Sequence, residues 1–201
     1  NELVVEEKGI YSIEKFLISR RLMYWQVYLH KTVLCAEQML KRIVKRAKQI
    51  KAAAPPSLHK LIAEPESKIS IEEFCSLDDF DVFYAIKTWS NHTDVVLSTL
   101  CKGIINRQLL KVKYFGEPVD EKILAEQTTA TCSKFNISPE DAAWLVFTGE
   151  AVSSTYNFDD EHIRILFKDG TVKDISEVDN ALINQNLKGK VKKYYICYTR
   201  A

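Results

Sequence analysis

The sequence predicts an α+β protein: a helical first half led by one long helix, then a small, mostly antiparallel α+β lobe. Three observations predict it. Residues 10–50 contain neither Gly nor Pro and are rich in Ala, Leu, Lys, Arg, Gln and Glu. From about residue 109 the helical spacing of apolar residues gives way to strand-like alternation. Asp169-Gly170 separates two β-rich runs, the strongest short hairpin signal. The chain thus divides into a helical segment, 1–108, and an α+β lobe, 109–201.

Ser12 reads as the N-cap of the long helix, with Glu14 and Lys15 in its first turn. The helix runs to about Lys51 and stops before Pro55-Pro56. Forty residues at 1.5 Å each would span ~60 Å, so a bend is expected inside it. At about 100° per residue two apolar stripes emerge. Ile13, Phe16, Val27 and Leu34 share one; Ile18, Leu22, Trp25, Leu29 and Val33 share the opposite one. A helix apolar on two faces is buried between two layers. The rest of the chain must supply both layers, or one of them lies outside this sequence.

Residues 55–70 read as a loop with short helical pieces, followed by helices at 70–74, 77–89 and 93–107. Ser70 with Glu73 is a capping-box pattern. Leu77-Asp78-Asp79 and His92-Thr93-Asp94 open the next two helices. Beyond them, 109–115 reads as a strand, 120–135 as a helix, and Ser138-Pro139-Glu140-Asp141 as a turn. Residues 144–156 are β-rich, and Ile163–Lys168 and Thr171–Ile175 flank the Asp-Gly turn. A short helix at 176–186 and a last strand at 192–198 complete the reading.

At 201 residues this is one large domain or two small ones. Lys and Arg number 28 against 27 Asp and Glu, a net charge of +1. That balance excludes a nucleic-acid binder driven by overall charge. No apolar run approaches the ~18–20 residues that span a membrane. The opening NELVVEEKG has no signal-peptide core, and it begins with Asn rather than Met, which fits an excised or processed piece. The five cysteines (Cys35, Cys75, Cys101, Cys132, Cys197) are widely spaced, and none forms C-x-x-C. Free thiols, a reducing compartment and a cytoplasmic location are expected. None of the four histidines is followed by Asp and no two lie four apart, so no metal site is expected in this chain.

Two charge runs stand out. Lys41–Lys51 carries six basic residues and no acidic one, and 64–94 carries eight acidic residues and two basic ones. The basic run suits the C-terminal end of a helix dipole or an anionic partner. The two runs can also face each other, within one chain or across an oligomer interface.

The most informative stretch is Arg20-Arg21-Leu22-Met23-Tyr24-Trp25-Gln26-Val27-Tyr28-Leu29-His30-Lys31. With Arg20 at 0°, Tyr24, Tyr28 and Lys31 fall at about 40°, 80° and 20°. A guanidinium, two phenols and an ammonium then share one stripe. Arg grips phosphate oxygens bidentately, Lys acts as a point charge, and Tyr stacks on a sugar or base. The same stripe also fits tyrosines in a core with Arg and Lys in structural ion pairs.

IYSIEKFLISRRLMYWQVYLHKTVLCAEQML resembles the helix just downstream of the catalytic site in HD-superfamily deoxynucleoside triphosphate triphosphohydrolases, the dGTPase-like enzymes. Residues 77–112 resemble a later helical segment of the same proteins. ILFKDGTVKDI and KKYYICY resemble the C-terminal lobe of bacterial members. The sharpest parts are Tyr28, His30 and Lys31 in Y-x-H-K and Arg107, Leu109 and Lys111 in R-x-L-x-K.

The resemblance implies that Arg20 contacts the substrate triphosphate. It places Tyr28 on the deoxyribose, excluding a 2′-hydroxyl. Tyr24 stands where an animal relative has a His near the phosphates. His30, Lys31, Arg107 and Lys111 match residues that contact an activating nucleotide at a subunit interface, which implies a homo-oligomer. The family holds a divalent metal with a His, a His-Asp pair and a later Asp, all upstream of this helix. This sequence has no His-Asp dipeptide. It therefore resembles the C-terminal part of such an enzyme, 1–108 continuing an HD-type all-α domain. It would carry no catalytic residue, bind no cofactor and be inactive alone, while the complete enzyme needs the metal.

A reading from another class stays open: a non-enzymatic binding or assembly module. Its basic helix end would dock an acidic protein surface or single-stranded nucleic acid, with Tyr194, Tyr195 and Tyr198 as a stacking platform. Alternation along a strand sends Tyr194 and Tyr198 to one face and Tyr195 to the other, which core packing explains equally well.

Overall fold

The run of aromatic and β-branched residues Tyr24-Trp25-Gln26-Val27-Tyr28 breaks the expected 40-residue helix in two. In the computed structural model, which describes residues 3–64, 68–153, 162–178 and 191–200, the first helix gives way to a π turn over Tyr24–Tyr28. The Leu29 N–H donates to the Tyr24 carbonyl at 2.7 Å, the wide i→i+5 spacing of such a turn. Aromatic and β-branched side chains crowd the preceding turn of an α-helix, so this stretch opens most readily. The bend expected inside the long helix is thus a break. The helix also begins earlier than Ser12: Gly9 precedes Ile10 as the N-cap, and no side chain caps it.

In chain order the elements are β1 (Val5–Glu6), α1 (Ile10–Met23), α2 (Lys31–Gln49), α3 (Pro56–Ala63), α4 (Ile71–Cys75), α5 (Asp79–Trp89) and α6 (Val95–Ile105). Then come β2 (Lys111–Phe115), α7 (Glu121–Phe135), α8 (Pro139–Ala142), β3 (Phe147–Ser153), β4 (Arg164–Leu166), β5 (Val172–Asp174) and β6 (Val191–Tyr198). The fold is mixed α+β, as the sequence predicts. Strands β1-β4-β5 form one sheet and β2-β6-β3 the other. β1 runs parallel to β4; the β4–β5 and β2–β6 pairs are antiparallel.

The change of character near residue 109 coincides with the start of β2. The compact units cut the chain elsewhere: Asn1–His30 with Glu150–Lys193, and Lys31–Gly149 with Tyr194–Ala201.

In the first unit, Ile10 and Leu17 of α1 are buried with Ile165, Ile175 and Val178, and Ile13 packs against that cluster. The β4–β5 hairpin turns at Lys168-Asp169-Gly170, where Gly170 has φ +83° and the Phe167 N–H reaches the Thr171 carbonyl at 2.9 Å. Glycine takes that left-handed conformation without strain, and the Asp169 carboxylate accepts from the Thr171 N–H at 2.9 Å. Among the described residues Ile18 and Leu22 of the opposite stripe are exposed, and so are Phe16 and, in the π turn, Val27 of the Ile13 stripe. Of the expected cover, the described residues supply that over Ile10, Ile13 and Leu17. A 3-10 turn at Ile175–Glu177 stands at the start of the helix expected over 176–186; residues 179–190 lie outside the described residues.

In the second unit α2 is the spine. Cys35, Met39, Ile43 and Ala47, four apart, form its buried row, and α2 packs on α3, α6 and β2. Leu97, Leu100 and Cys101 of α6 and Ala85, Ile86 and Trp89 of α5 fill the core. The Trp89 indole N–H donates to the Ala53 carbonyl at 2.8 Å. Ser70 and Asp78 close capping boxes with Glu73 and Asp81, and Asp94 caps α6. The stretch expected at 55–70 as a loop with short helical pieces contains a two-turn helix, α3, with Pro56 at its first position, where its missing N–H is no loss. No helix among the described residues is long and apolar enough to cross a membrane.

The two charge runs do meet within one chain. Arg46 is buried and forms a forked pair with Asp94, Nη2 to Oδ2 at 2.6 Å and Nε to Oδ1 at 3.3 Å. Asp141 adds a second carboxylate at 2.8 Å. Tyr195 is buried, its ring edge-on to Tyr114 with centroids 6.3 Å apart, so it belongs to the core rather than to a stacking platform.

Candidate anion-binding site

A cavity of about 360 Å³ in the second unit is lined by Lys31, Arg107, Lys111 and Arg200, together with Thr32, Cys35, Leu109, Leu110, Val112 and Tyr198. Among the described residues no acidic one lines it. Four cations converge there from four places in the fold.

Lys31 is the first residue of α2, so the positive end of that helix dipole borders the same space. Arg107 follows the C-terminus of α6. The Gln108 N–H bonds back to the Gly103 carbonyl at 2.9 Å and the Arg107 N–H to Ile104 at 3.3 Å, the paired bonds of a Schellman ending. That ending needs a left-handed residue, normally Gly; here Arg107 takes it at φ 55°. Lys111 opens β2 opposite Tyr198 of β6.

Arg200 is aimed by tertiary bonds. Its Nε donates to the Leu109 carbonyl at 3.2 Å, and its own carbonyl accepts from Lys134 Nζ at 2.6 Å. The hydroxyls of Thr131 and Thr199 pair at 3.0 Å beside it.

The floor carries a thiol. Cys35 Sγ donates to the Leu110 carbonyl at 3.2 Å. Its pairing with the Cys197 thiol draws Cys35 below the ordinary thiol value and pushes Cys197 above it. Cys101, in the core, is pushed up to about 12 by burial. All five cysteines are free; Cys35, Cys101 and Cys197 are buried, whereas Cys75 is exposed and Cys132 partly so.

Three of the four residues expected at an effector site therefore share one cavity. The fourth, His30, is not among its lining residues. Arg200 was not anticipated. The expected stripe of Arg20, Tyr24, Tyr28 and Lys31 is divided: the π turn ends it at Tyr28, and Lys31 begins a new helix that borders the cavity.

Arg20, Tyr24 and Tyr28 keep together. The Arg20 guanidinium lies 5.6 Å from the Tyr24 ring centroid, and the Tyr24 and Tyr28 rings are 5.1 Å apart at 46°. Tyr28 is exposed. Among the described residues no three His, Cys, Asp or Glu side chains gather as a metal site, so the donors on these residues do not fit a divalent cation.

A solved phosphohydrolase from Bacteroides thetaiotaomicron VPI-5482, BT4208, superposes with a TM-score of 0.83 at 43% identity, over 99% of this chain and 52% of that one. A hypothetical protein from Aquifex aeolicus, at TM-score 0.56 and 24% identity, shares the fold over 99% of this chain and 44% of its own. Among curated sequences, the uncharacterized protein YwfO of Bacillus subtilis strain 168 is 28% identical over 203 residues, 94% of this chain and 45% of that protein. The chain thus spans about half the length of these relatives. Residues 1–135 match the profile of the HD associated region, and the chain belongs to that family.

Proposed function

We propose that this chain is the C-terminal part of a metal-dependent HD-type phosphohydrolase acting on deoxynucleoside triphosphates. Water attacks the α-phosphorus, the bond from that phosphorus to the 5′-oxygen breaks, and the 5′-oxygen takes up a proton, so that deoxynucleoside and triphosphate are released. The divalent metal would be held by residues outside this chain and would activate the attacking water. Arg20 meets the triphosphate, Tyr28 lies against the deoxyribose, and Tyr24 holds the two side chains in register. Lys31, Arg107 and Lys111, with Arg200 and with His30 nearby in sequence, receive an activating nucleotide in a homo-oligomer.

The observation that carries this reading is the convergence of Lys31, Arg107 and Lys111 on one cavity free of acidic lining, from α2, the end of α6 and β2. Cations on separate elements repel one another, and a shared anion turns that repulsion into binding. The experiment is product analysis on the complete protein, offered each of the four deoxynucleoside triphosphates with Mg²⁺ or Mn²⁺. Release of intact triphosphate supports the reading. Stepwise release of orthophosphate, or no hydrolysis of any of the four, contradicts it.

A further inference from the structure

Two buried thiols meet at the cation-lined cavity. Cys35 lies one turn into α2 and lines the cavity together with Lys31 and Arg200. Cys197 is buried in β6, paired with Val112 of β2. The Cys197 S–H donates to the Cys35 sulfur, whose own S–H goes to the Leu110 carbonyl at 3.2 Å. Met39 Sδ lies 3.8 Å from Cys35 Sγ. The other cysteines stand elsewhere: Cys101 is buried in α6, Cys75 is exposed and Cys132 partly so.

A cysteine in an apolar core is inert, because burial keeps its proton on. Cys35 is buried too, but it belongs to a cavity wall, and hydrogen peroxide is small against about 360 Å³. The Cys197 hydrogen bond, with the Arg200 charge behind it, holds the Cys35 thiol below its ordinary value. A thiolate that an oxidant can reach is the one that oxidises, and a second thiol in contact stops the oxidation at a disulfide.

We propose that Cys35 and Cys197 form a peroxide-responsive pair, Cys35 meeting the oxidant from the cavity and Cys197 closing an intrachain disulfide. The Cys35 thiolate attacks one oxygen of hydrogen peroxide. The O–O bond breaks, and the leaving hydroxide takes up a proton to become water. The Cys197 sulfur then attacks the Cys35 sulfenic acid, gives up its proton and expels a second water. Two thiols thus pass two electrons to one peroxide. The new bond ties α2 to β6 and takes the S–H donor from the Leu110 carbonyl, next to Lys111, so oxidation reaches the cavity wall. The pair does not depend on what the cavity binds.

Peptide mapping tests it on the native chain. The reduced chain is treated with an equimolar amount of hydrogen peroxide, remaining thiols are blocked with N-ethylmaleimide in urea, and non-reduced peptides are read by mass spectrometry. The Cys35–Cys197 disulfide should exceed every other cysteine product several-fold and revert with dithiothreitol. In Cys197→Ser, Cys35 should run on to sulfinic acid, which dithiothreitol does not reverse. Recovery of Cys35 and Cys197 as thiols while Cys75 or Cys132 is oxidised would overturn the proposal. So would a Cys35–Cys197 bond that forms only when peroxide is added in urea, or a Cys35 linked to a second chain.

Discussion

Arg46 and Asp94 form a forked ion pair at 2.6 and 3.3 Å that ties the end of α2 to the start of α6. Asp94 also caps α6, accepting from the Leu97 N–H at 2.7 Å, so one carboxylate serves two structural tasks. Removing one partner of a buried pair leaves the other charge uncompensated, which costs about 3–5 kcal/mol. Arg46→Ala should therefore destabilise the chain by about that much, read by urea unfolding. A loss near zero would show that Asp94 and Asp141 find other partners.

The same pair sets an acid limb. Burial alone would raise the Asp94 carboxyl, but the hydrogen bonds from Arg46 and from Leu97 outweigh it and hold it below the usual carboxylate range. A depressed folded pKa stabilises above the unfolded value, about 4, and that stabilisation is lost as pH falls through the folded value. Stability should fall on acidification below about pH 4. It should fall less steeply in Arg46→Ala, because the carboxyl then loses the hydrogen bond and the charge that lower it most. Parallel acid limbs in the two proteins would contradict this.

Gly149 should not tolerate a side chain. A Cβ there would overlap the Tyr195 ring and hydroxyl, and Tyr195 is buried against Tyr114. Overpacking of this kind costs about 1–3 kcal/mol. Gly149→Ala should lower Tm by several degrees in a thermal scan. An unchanged Tm would mean that Tyr195 swings aside freely.

Arg107 separates stability from function. It occupies a left-handed position that glycine fills without strain. Arg107→Gly should leave stability unchanged or raise it by up to about 1 kcal/mol, while weakening binding of a triphosphate. Calorimetric unfolding and ligand titration on the same protein read the two effects. Loss of both stability and binding would show Arg107 to be structural.

On the proposed function, Arg20 and Arg21 should differ in the complete protein. Arg20 stacks on Tyr24 and lies on the side of α1 that leads to Tyr28, whereas Arg21 lies about 100° around the helix. Losing a charge-assisted phosphate contact costs about 1.5–3 kcal/mol, roughly ten- to hundred-fold in kcat/KM. Arg20→Ala should show that loss and Arg21→Ala should not. Tyr28→Ala should instead relax discrimination against ribonucleotides. Equal, small effects of the two arginine changes would remove the stripe from the substrate wall.

Much of this was legible because it is local. The capping boxes at Ser70 and Asp78, the Asp169-Gly170 hairpin and the strand at β6 follow from short patterns. The π turn was not, since a fixed 100° step assumes an unbroken helix; the aromatic and β-branched run was the available sign. Arg46 falls three residues after buried Ile43, on the apolar side of α2, a signal hidden inside a run of six basic residues. Arg200 had no local signal. Its direction comes from bonds to Leu109 and Lys134, 91 and 66 residues away in sequence.

In the proposed function Lys31, Arg107, Lys111 and Arg200 together hold a triphosphate. Titration calorimetry on the complete protein tests it, with inorganic triphosphate and each deoxynucleoside triphosphate as ligands. The wild type should bind, more weakly as salt rises, and each single Ala variant should lose about 1.5–3 kcal/mol of affinity, roughly ten- to hundred-fold. Unchanged affinity across all four variants, or no binding by the wild type, would contradict the account.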